Sequence, residues 1–204
     1  MKGKPIKEIL LVYLLLYTIS WFIFGQLGDF HSLLSQWLVG VIPLVLLLTL
    51  PILIILKRKR GWSSLGIISK NFSHSIALGG ASGLIIVIVH RLIWPNHYYA
   101  TLLNLPLAII FWAFLATSQE VFFRGYLQSS FSKMFGNIPG LIFSSILFAL
   151  WHTSLWSSPS WSSFSILSRM FLVSLVWGFS FQKTKNLLAP WLSHLIVGVG
   201  LSNF

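Results

Sequence analysis

The sequence predicts an all-α fold, a polytopic membrane helical bundle of about seven transmembrane helices with its N-terminus in the cytoplasm. Three observations predict it. The 204 residues are 56% hydrophobic and only 8% charged, with mean hydropathy +0.84. A soluble domain carries roughly a quarter charged residues, so this chain cannot cover a water-facing surface and takes the bilayer as its main solvent. The apolar residues fall into runs that each approximate the ~20 residues needed to cross a bilayer as helix. The basic residues lie between alternate runs, which is how topology is encoded.

The first run, Ile9 to Phe24, follows Lys2, Lys4 and Lys7. This opening resembles a signal peptide, but no small-residue cleavage site follows, so it reads as a first anchor helix. The second run, Leu34 to Leu56, is followed by Lys57, Arg58, Lys59, Arg60 and Lys70. The third, Ile76 to Trp94, ends near an outer loop. Lys133 follows the fourth, Leu102 to Leu127. The fifth is Ile138 to Leu155. Lys183 and Lys185 follow the sixth, Phe164 to Phe181, and the last runs from Leu187 to the C-terminus. The opposite loops, Gly25 to Ser32, Pro95 to Tyr99 and Ser157 to Ser163, carry no Lys or Arg. They are expected outside, with Trp94, Trp156 and Trp161 at the outer interface and the C-terminus outside.

The fourth segment is too long. From Ala100 to Ser132 a straight helix measures ~50 Å, against a hydrocarbon core of ~30 Å. It is expected to tilt, to kink near Pro106 or to break near Gly125.

Composition also excludes functions. The net charge of +11 follows topology and forms no basic face with interleaved aromatics, so nucleic acid is not an expected partner. With no cysteine, disulfides and thiolate metal sites are excluded.

Ionisable groups inside a membrane are costly and face a bundle interior or a wet cavity. Five lie well inside the spans: Glu120, Arg124, His152, Arg169 and His194. His90 and Arg91 lie near an outer end, where Arg91 can snorkel. Glu120 is one of three carboxylate side chains in the chain. It precedes Gly136, in the turn "FGNIP", by 16 residues, and His152 follows that glycine by 16. In an antiparallel helix pair the two share a depth, roughly 24 Å from the turn. His194, eight residues past Asn186, is shallower and needs a tilt or a broken helix to join them.

One carboxylate and two imidazoles in a partly wet pocket suit general acid–base work on water. They also suit zinc, for which imidazole and carboxylate are ligands. Beside this stands a purely structural reading. Glu120 and Arg124 have the i, i+4 spacing of a helical ion pair, and a buried histidine is often a hydrogen-bonded core residue.

Three stretches occur in order: "QEVFFRG" from Gln119, "FALWH" from Phe148 to His152, and "WGFSFQKTKNLLAPWLSHLIVG" from Trp177 to Gly198. Together with "SLGI" at Ser64 to Ile67, they resemble the CPBP or Abi family, the CAAX prenyl endopeptidases and bacteriocin-processing intramembrane proteases. The matched core spans about Ala113 to Gly198. The resemblance implies one membrane domain, 1–204, with accessory helices over 1–99 and a motif-bearing core over 100–204. It implies peptide-bond hydrolysis near the membrane surface by glutamate-activated water, with or without a divalent metal such as zinc. Glu120, His152 and His194 are then catalytic, and would be the ligands if a metal is bound. Arg124 and Gln119 support them. The implied partners are the lipid bilayer and a peptide or protein substrate, which in this family can be lipidated. The implied location is a prokaryotic cytoplasmic membrane, crossed several times.

Two departures bear on activity. The family's first glutamate is Gln119 here, and an amide cannot take up a proton at neutral pH. The asparagine expected four residues after the last histidine is Gly198, which removes an oxyanion donor worth ~3 kcal/mol. A catalytically silent member that binds a peptide or acts as an immunity or scaffold protein is the alternative. A small transporter is a third reading, though no paired repeat is visible. "HExxH" is absent, and "GFSF" lacks the glycine that completes a rhomboid serine motif.

Overall fold

The computed structural model describes residues 4–27, 33–95, 100–101, 104–155 and 161–203. The tips of the three outer loops, and Trp156 with them, lie outside the described residues. The helices are α1 Lys4–Leu27, α2 Leu33–Lys57, α3 Phe72–Ile93, α4 Leu105–Glu120, α5 Ser129–Phe135, α6 Asn137–Trp151, α7 Trp161–Thr184 and α8 Leu188–Gly200. A π-helix, Val121–Gln128, joins α4 to α5 without a break. A two-residue parallel pairing sets Ala100 opposite Ser202 and Thr101 opposite Asn203.

The bundle has the apolar exterior expected of a chain dissolved in lipid. Leu92 is 78% exposed and Ile138 71% exposed. Among the described residues, four helical stretches are long and apolar enough to span: Ile6–Ile23, Phe72–Ile93, Leu105–Phe135 and Phe164–Thr184. The chain is an integral, multi-pass membrane protein. Two expected spans are short. Helix α6 has 15 residues and α8 has 13, or roughly 20 Å of rise for α8.

Pro106 does not kink the fourth segment. It lies in the first turn of α4, where a missing N–H costs nothing, and Asn104 Oδ1 caps that turn by accepting from Leu107 N–H at 3.1 Å. Nor does the segment break at Gly125: the helix continues through that residue as a π-helix. The widened turn is closed by Ser129 N–H donating to the Arg124 carbonyl, five residues back. A Cβ at Gly125 would come within 2.9 Å of the Leu65 carbonyl oxygen, so glycine lets the loop between α2 and α3 seat there. That loop contains "SLGI", whose Leu65 is buried at the end of a short 3₁₀ turn.

Small residues set the contact between α3 and α8. On α3, a Cβ at Gly79 would meet the Ala189 carbonyl oxygen of α8 at 2.5 Å, and one at Gly83 would meet Ile196 Cβ at 2.9 Å. Helices in lipid associate through such close approach rather than through hydrophobic exclusion. Helix α1 is fastened to the core by polar bonds. Tyr13 Oη donates to the Leu147 carbonyl at 2.9 Å, and Tyr17 Oη shares a hydrogen with Thr153 Oγ1 at 2.7 Å.

The polar residues at the outer end have structural partners. Arg91 Nη2 donates to the Gly200 carbonyl at 3.0 Å, capping α8 rather than snorkelling. Arg169 stacks over Trp94, with its Cζ 4.8 Å from the ring centre, and lies 3.4 Å from His90 Nε2.

Candidate active site

The centre of the core holds an uncommon object for a membrane bundle, a buried three-residue charge cluster. Glu120 ends α4 and Arg124 lies one turn on in the π-helix; each is 1% exposed. His194 projects from α8 and is 4% exposed. Glu120 Oε1 is 2.8 Å from His194 Nδ1, and Oε2 is 3.1 Å from Arg124 Nε. One carboxylate thus serves an imidazole with one oxygen and a guanidinium with the other.

The arginine is held through one nitrogen, while its buried Nε and Nη1 make no hydrogen bond among the described residues. Its Nη2 donates to Ser174 Oγ at 2.9 Å and to the Ser174 carbonyl at 3.1 Å. Its Cζ lies 4.6 Å from the centre of the Phe148 ring and 5.6 Å from that of Trp177. The aromatic faces help accommodate a cation removed from water. Removing ions from water costs several kcal/mol each, and only pairing with good geometry offsets this. The cluster therefore holds together as a unit.

His194 is oriented just as firmly. The Trp177 ring stacks on it at 4.0 Å with a 20° tilt, and Trp177 Nε1 donates to Ser193 Oγ at 2.9 Å. With Nδ1 facing a carboxylate, the neutral ring is assigned its hydrogen on Nδ1 and its lone pair on Nε2.

Depth arithmetic favours a Glu120–His152 meeting, yet the direct contact is with His194. The reason is local. Helix α6 ends at Trp151, and His152 begins a 3₁₀ turn in which its Nδ1 folds back on the Phe148 carbonyl at 2.9 Å. Meanwhile the glycine contacts with α3 seat α8 deep in the bundle. His152 remains beside the cluster through Phe148, whose ring centre is 4.7 Å from His152 and 6.4 Å from His194.

The two departures from the family pattern have clear settings. Gln119 is 4% exposed, and its Oε1 is buried with no hydrogen-bond partner among the described residues. At Gly198, a Cβ would run into the ring of Trp112. That indole fills the place a longer side chain would need. It is fixed by donating from Nε1 to Ser202 Oγ at 2.8 Å, which in turn donates to the Gly198 carbonyl at 2.8 Å.

A metal does not fit the side chains as placed. Zinc needs lone pairs from three or more ligands aimed at one point. No group of three His, Asp or Glu among the described residues is so arranged. Nδ1 of His194 is engaged with the carboxylate, and Nδ1 of His152 with a backbone carbonyl.

Trp112, Ser174 and Trp177 were not singled out from the sequence. Trp177 opens the third quoted stretch, so a signal was present. Trp112 and Ser174 carried none, because their importance lies in contacts made across the bundle.

Residues 100–199 match the family model described as type II CAAX prenyl endopeptidase Rce1-like. The match supports a CPBP-family protein. The match covers the three motif stretches and all the residues of the charge cluster, and it begins after α3. No curated protein and no solved structure matches the chain. The CPBP assignment therefore rests on the family model and the motifs.

Proposed function

We propose that the chain is an intramembrane endopeptidase of the CAAX-protease type, acting through the Glu120–His194 pair. The observation that carries this reading is the 2.8 Å contact between Glu120 Oε1 and His194 Nδ1. A carboxylate that holds Nδ1–H leaves Nε2 free to act as base, the logic of a catalytic triad. Water adds through its oxygen to the peptide carbonyl carbon as its proton passes to Nε2. The imidazolium then returns that proton to the amine as the C–N bond breaks, leaving a carboxylic acid and an amine. Glu120 stabilises the imidazolium, and Arg124 holds Glu120 in place. The Gln119 amide is the candidate donor to the developing oxyanion, and His152, whose Nδ1–H donates to the Phe148 carbonyl, presents Nε2 as an acceptor that can orient the attacking water. This assignment moves the base from Glu120 to His194, because Oε1 is bonded to the imidazole and Oε2, though it makes no hydrogen bond among the described residues, lies 3.1 Å from the Arg124 cation, which disfavours its taking up a proton. Glu120, His152 and His194 are the catalytic set, with Arg124 and Gln119 in support. The substrate is a membrane-associated peptide or protein, lipidated if it follows the family's named chemistry, in a prokaryotic cytoplasmic membrane.

The buried Gln119 Oε1 and the ring of Trp112 against Gly198 favour a second reading, a silent relative that binds a peptide without cutting it. The two are separated by reconstituting the protein in liposomes with fluorogenic peptides, prenylated and unprenylated. Cleavage by the native chain that is lost in His194→Gln supports the protease. Cleavage seen only after Gln119→Glu supports the silent relative.

A further inference from the structure

A polar concavity lies at the cytoplasmic end of the core, reached at Gln128, eight residues along the helix from Glu120. Its volume is about 260 Å³. Its lining includes Lys133 and Lys185, together with the hydroxyls of Ser63, Ser64, Ser129 and Ser132. We propose that this pocket binds the phosphate of a phosphate ester, either an anionic phospholipid headgroup or a soluble phosphomonoester.

Charge is the first argument. The chain has 14 Lys and Arg against three Asp and Glu. Glu8 on this side is engaged with Arg58, and Glu120 with the buried cluster. Neither Lys133 nor Lys185 has a carboxylate within ion-pair distance among the described residues. Two ammonium groups at one polar pocket call for an anion from outside the chain.

Donor chemistry is the second. Ser64 Oγ is buried and has no hydrogen-bond partner among the described residues. Asn137, the first residue of α6, also lines the pocket, and no side chain caps that helix at Gly136. The free N–H groups and positive dipole end of a 15-residue helix therefore border the same space.

The third is that the rim is built rather than loose. Gln182 Nε2 donates to the Asn137 carbonyl, joining α7 to α6. Asn186 Nδ2 donates to the carbonyls of Ile68 at 2.9 Å and Lys70 at 3.0 Å. Leu187 N–H donates to the Gly66 carbonyl at 2.9 Å. Gln128 Nε2, in the pocket floor, donates to the Gly178 carbonyl at 2.8 Å. Four separate segments are thus locked around the cavity. The basic loops place it at the cytoplasmic headgroup level, where such pockets take lipid phosphates.

The test uses the full chain in non-ionic detergent. Native mass spectrometry measures 1:1 adducts with phosphatidylglycerol, phosphatidylcholine, glycerol 1-phosphate and inorganic phosphate. The variant is Lys133→Ala with Lys185→Asn, since Lys185 has φ +56° and asparagine tolerates that conformation. Lys133→Ala alone is a milder second variant at an exposed position. Lys183→Ala, whose ammonium lies over Phe179 and outside the pocket lining, is the control. The expected result is an adduct weakened at least tenfold in the double variant, by a smaller factor in Lys133→Ala, and unchanged in the control. Retention of phosphatidylglycerol over phosphatidylcholine identifies a headgroup. Adducts with glycerol 1-phosphate alone identify a soluble ester. No adduct, or equal binding by native and both pocket variants, overturns the proposal.

Discussion

Glu120 and His194 lie 74 positions apart in sequence, yet their Oε1 and Nδ1 atoms are 2.8 Å apart in the middle of the bundle. This contact fixes the imidazole, engages one carboxylate oxygen and leaves the other to Arg124. The functional reading and most of its tests depend on it.

The charge cluster makes stability the first prediction. Glu120→Ala leaves the Arg124 guanidinium buried without its counter-ion. Loss of one partner from a buried pair costs roughly 3–5 kcal/mol. Unfolding of the detergent-solubilised variant should show a loss of this order, far beyond that of Glu8→Ala at the exposed pair with Arg58. Equal effects of the two substitutions would show that the buried pair does not bear on folding.

Arg124→Lys keeps the charge but loses the planar group that spans Glu120, Ser174 and the Phe148 ring. Activity and melting temperature should fall together. If the lysine variant matches the native chain in both, the guanidinium contacts to Ser174 have no role.

Gly198→Asn restores the residue expected from the family motif, but the ring of Trp112 occupies its space. The single change should destabilise by about 1–3 kcal/mol through overpacking. Trp112→Ala opens a cavity of its own. In a double-mutant cycle the pair should be less destabilised than the two single costs added together, because each change accommodates the other. Simple additivity would mean that the indole and position 198 are not coupled.

These contacts show which features were legible in the sequence. The apolar runs made the helices legible, since the bilayer imposes a length rule that acts locally along the chain. The length of the fourth segment was legible, but the break expected near Gly125 is not there: the helix continues as an eight-residue π-helix, against which Leu65 packs from another loop. Equal spacing from Gly136 suggested that Glu120 would meet His152. The count assumed that α6 continues as regular helix to His152, whereas that residue starts a 3₁₀ turn. His194 joined the cluster through glycine packing between α3 and α8, which spacing within α8 could not reveal.

That packing gives a prediction distant from the chemistry. Gly79→Leu cannot fit against the Ala189 carbonyl without moving α8. A shift of about 1 Å at a catalytic group can cost 10²-fold in rate. Turnover should fall by about that factor, while Gly80→Leu, where nothing lies within 4 Å of an added Cβ, should leave it near native. Similar rates for both would separate the α3–α8 contact from activity.

Gln119→Glu introduces a carboxylate where the amide oxygen has no partner. A base in reach of the substrate water contributes typically 10²–10⁴-fold. Peptide cleavage in liposomes should rise by at least about tenfold over native. A rate at or below native would mean that residue 119 does not face the reacting water.

The most direct measurement is nitrogen-15 NMR of histidine-labelled protein, with the His194 signals assigned by their loss in His194→Gln. The account predicts a neutral ring protonated on Nδ1, with Nε2 showing the shift of an unprotonated nitrogen. A hydrogen on Nε2, or a doubly protonated ring locked in a salt bridge with Glu120, would contradict it, because neither state leaves a lone pair to accept a proton from water.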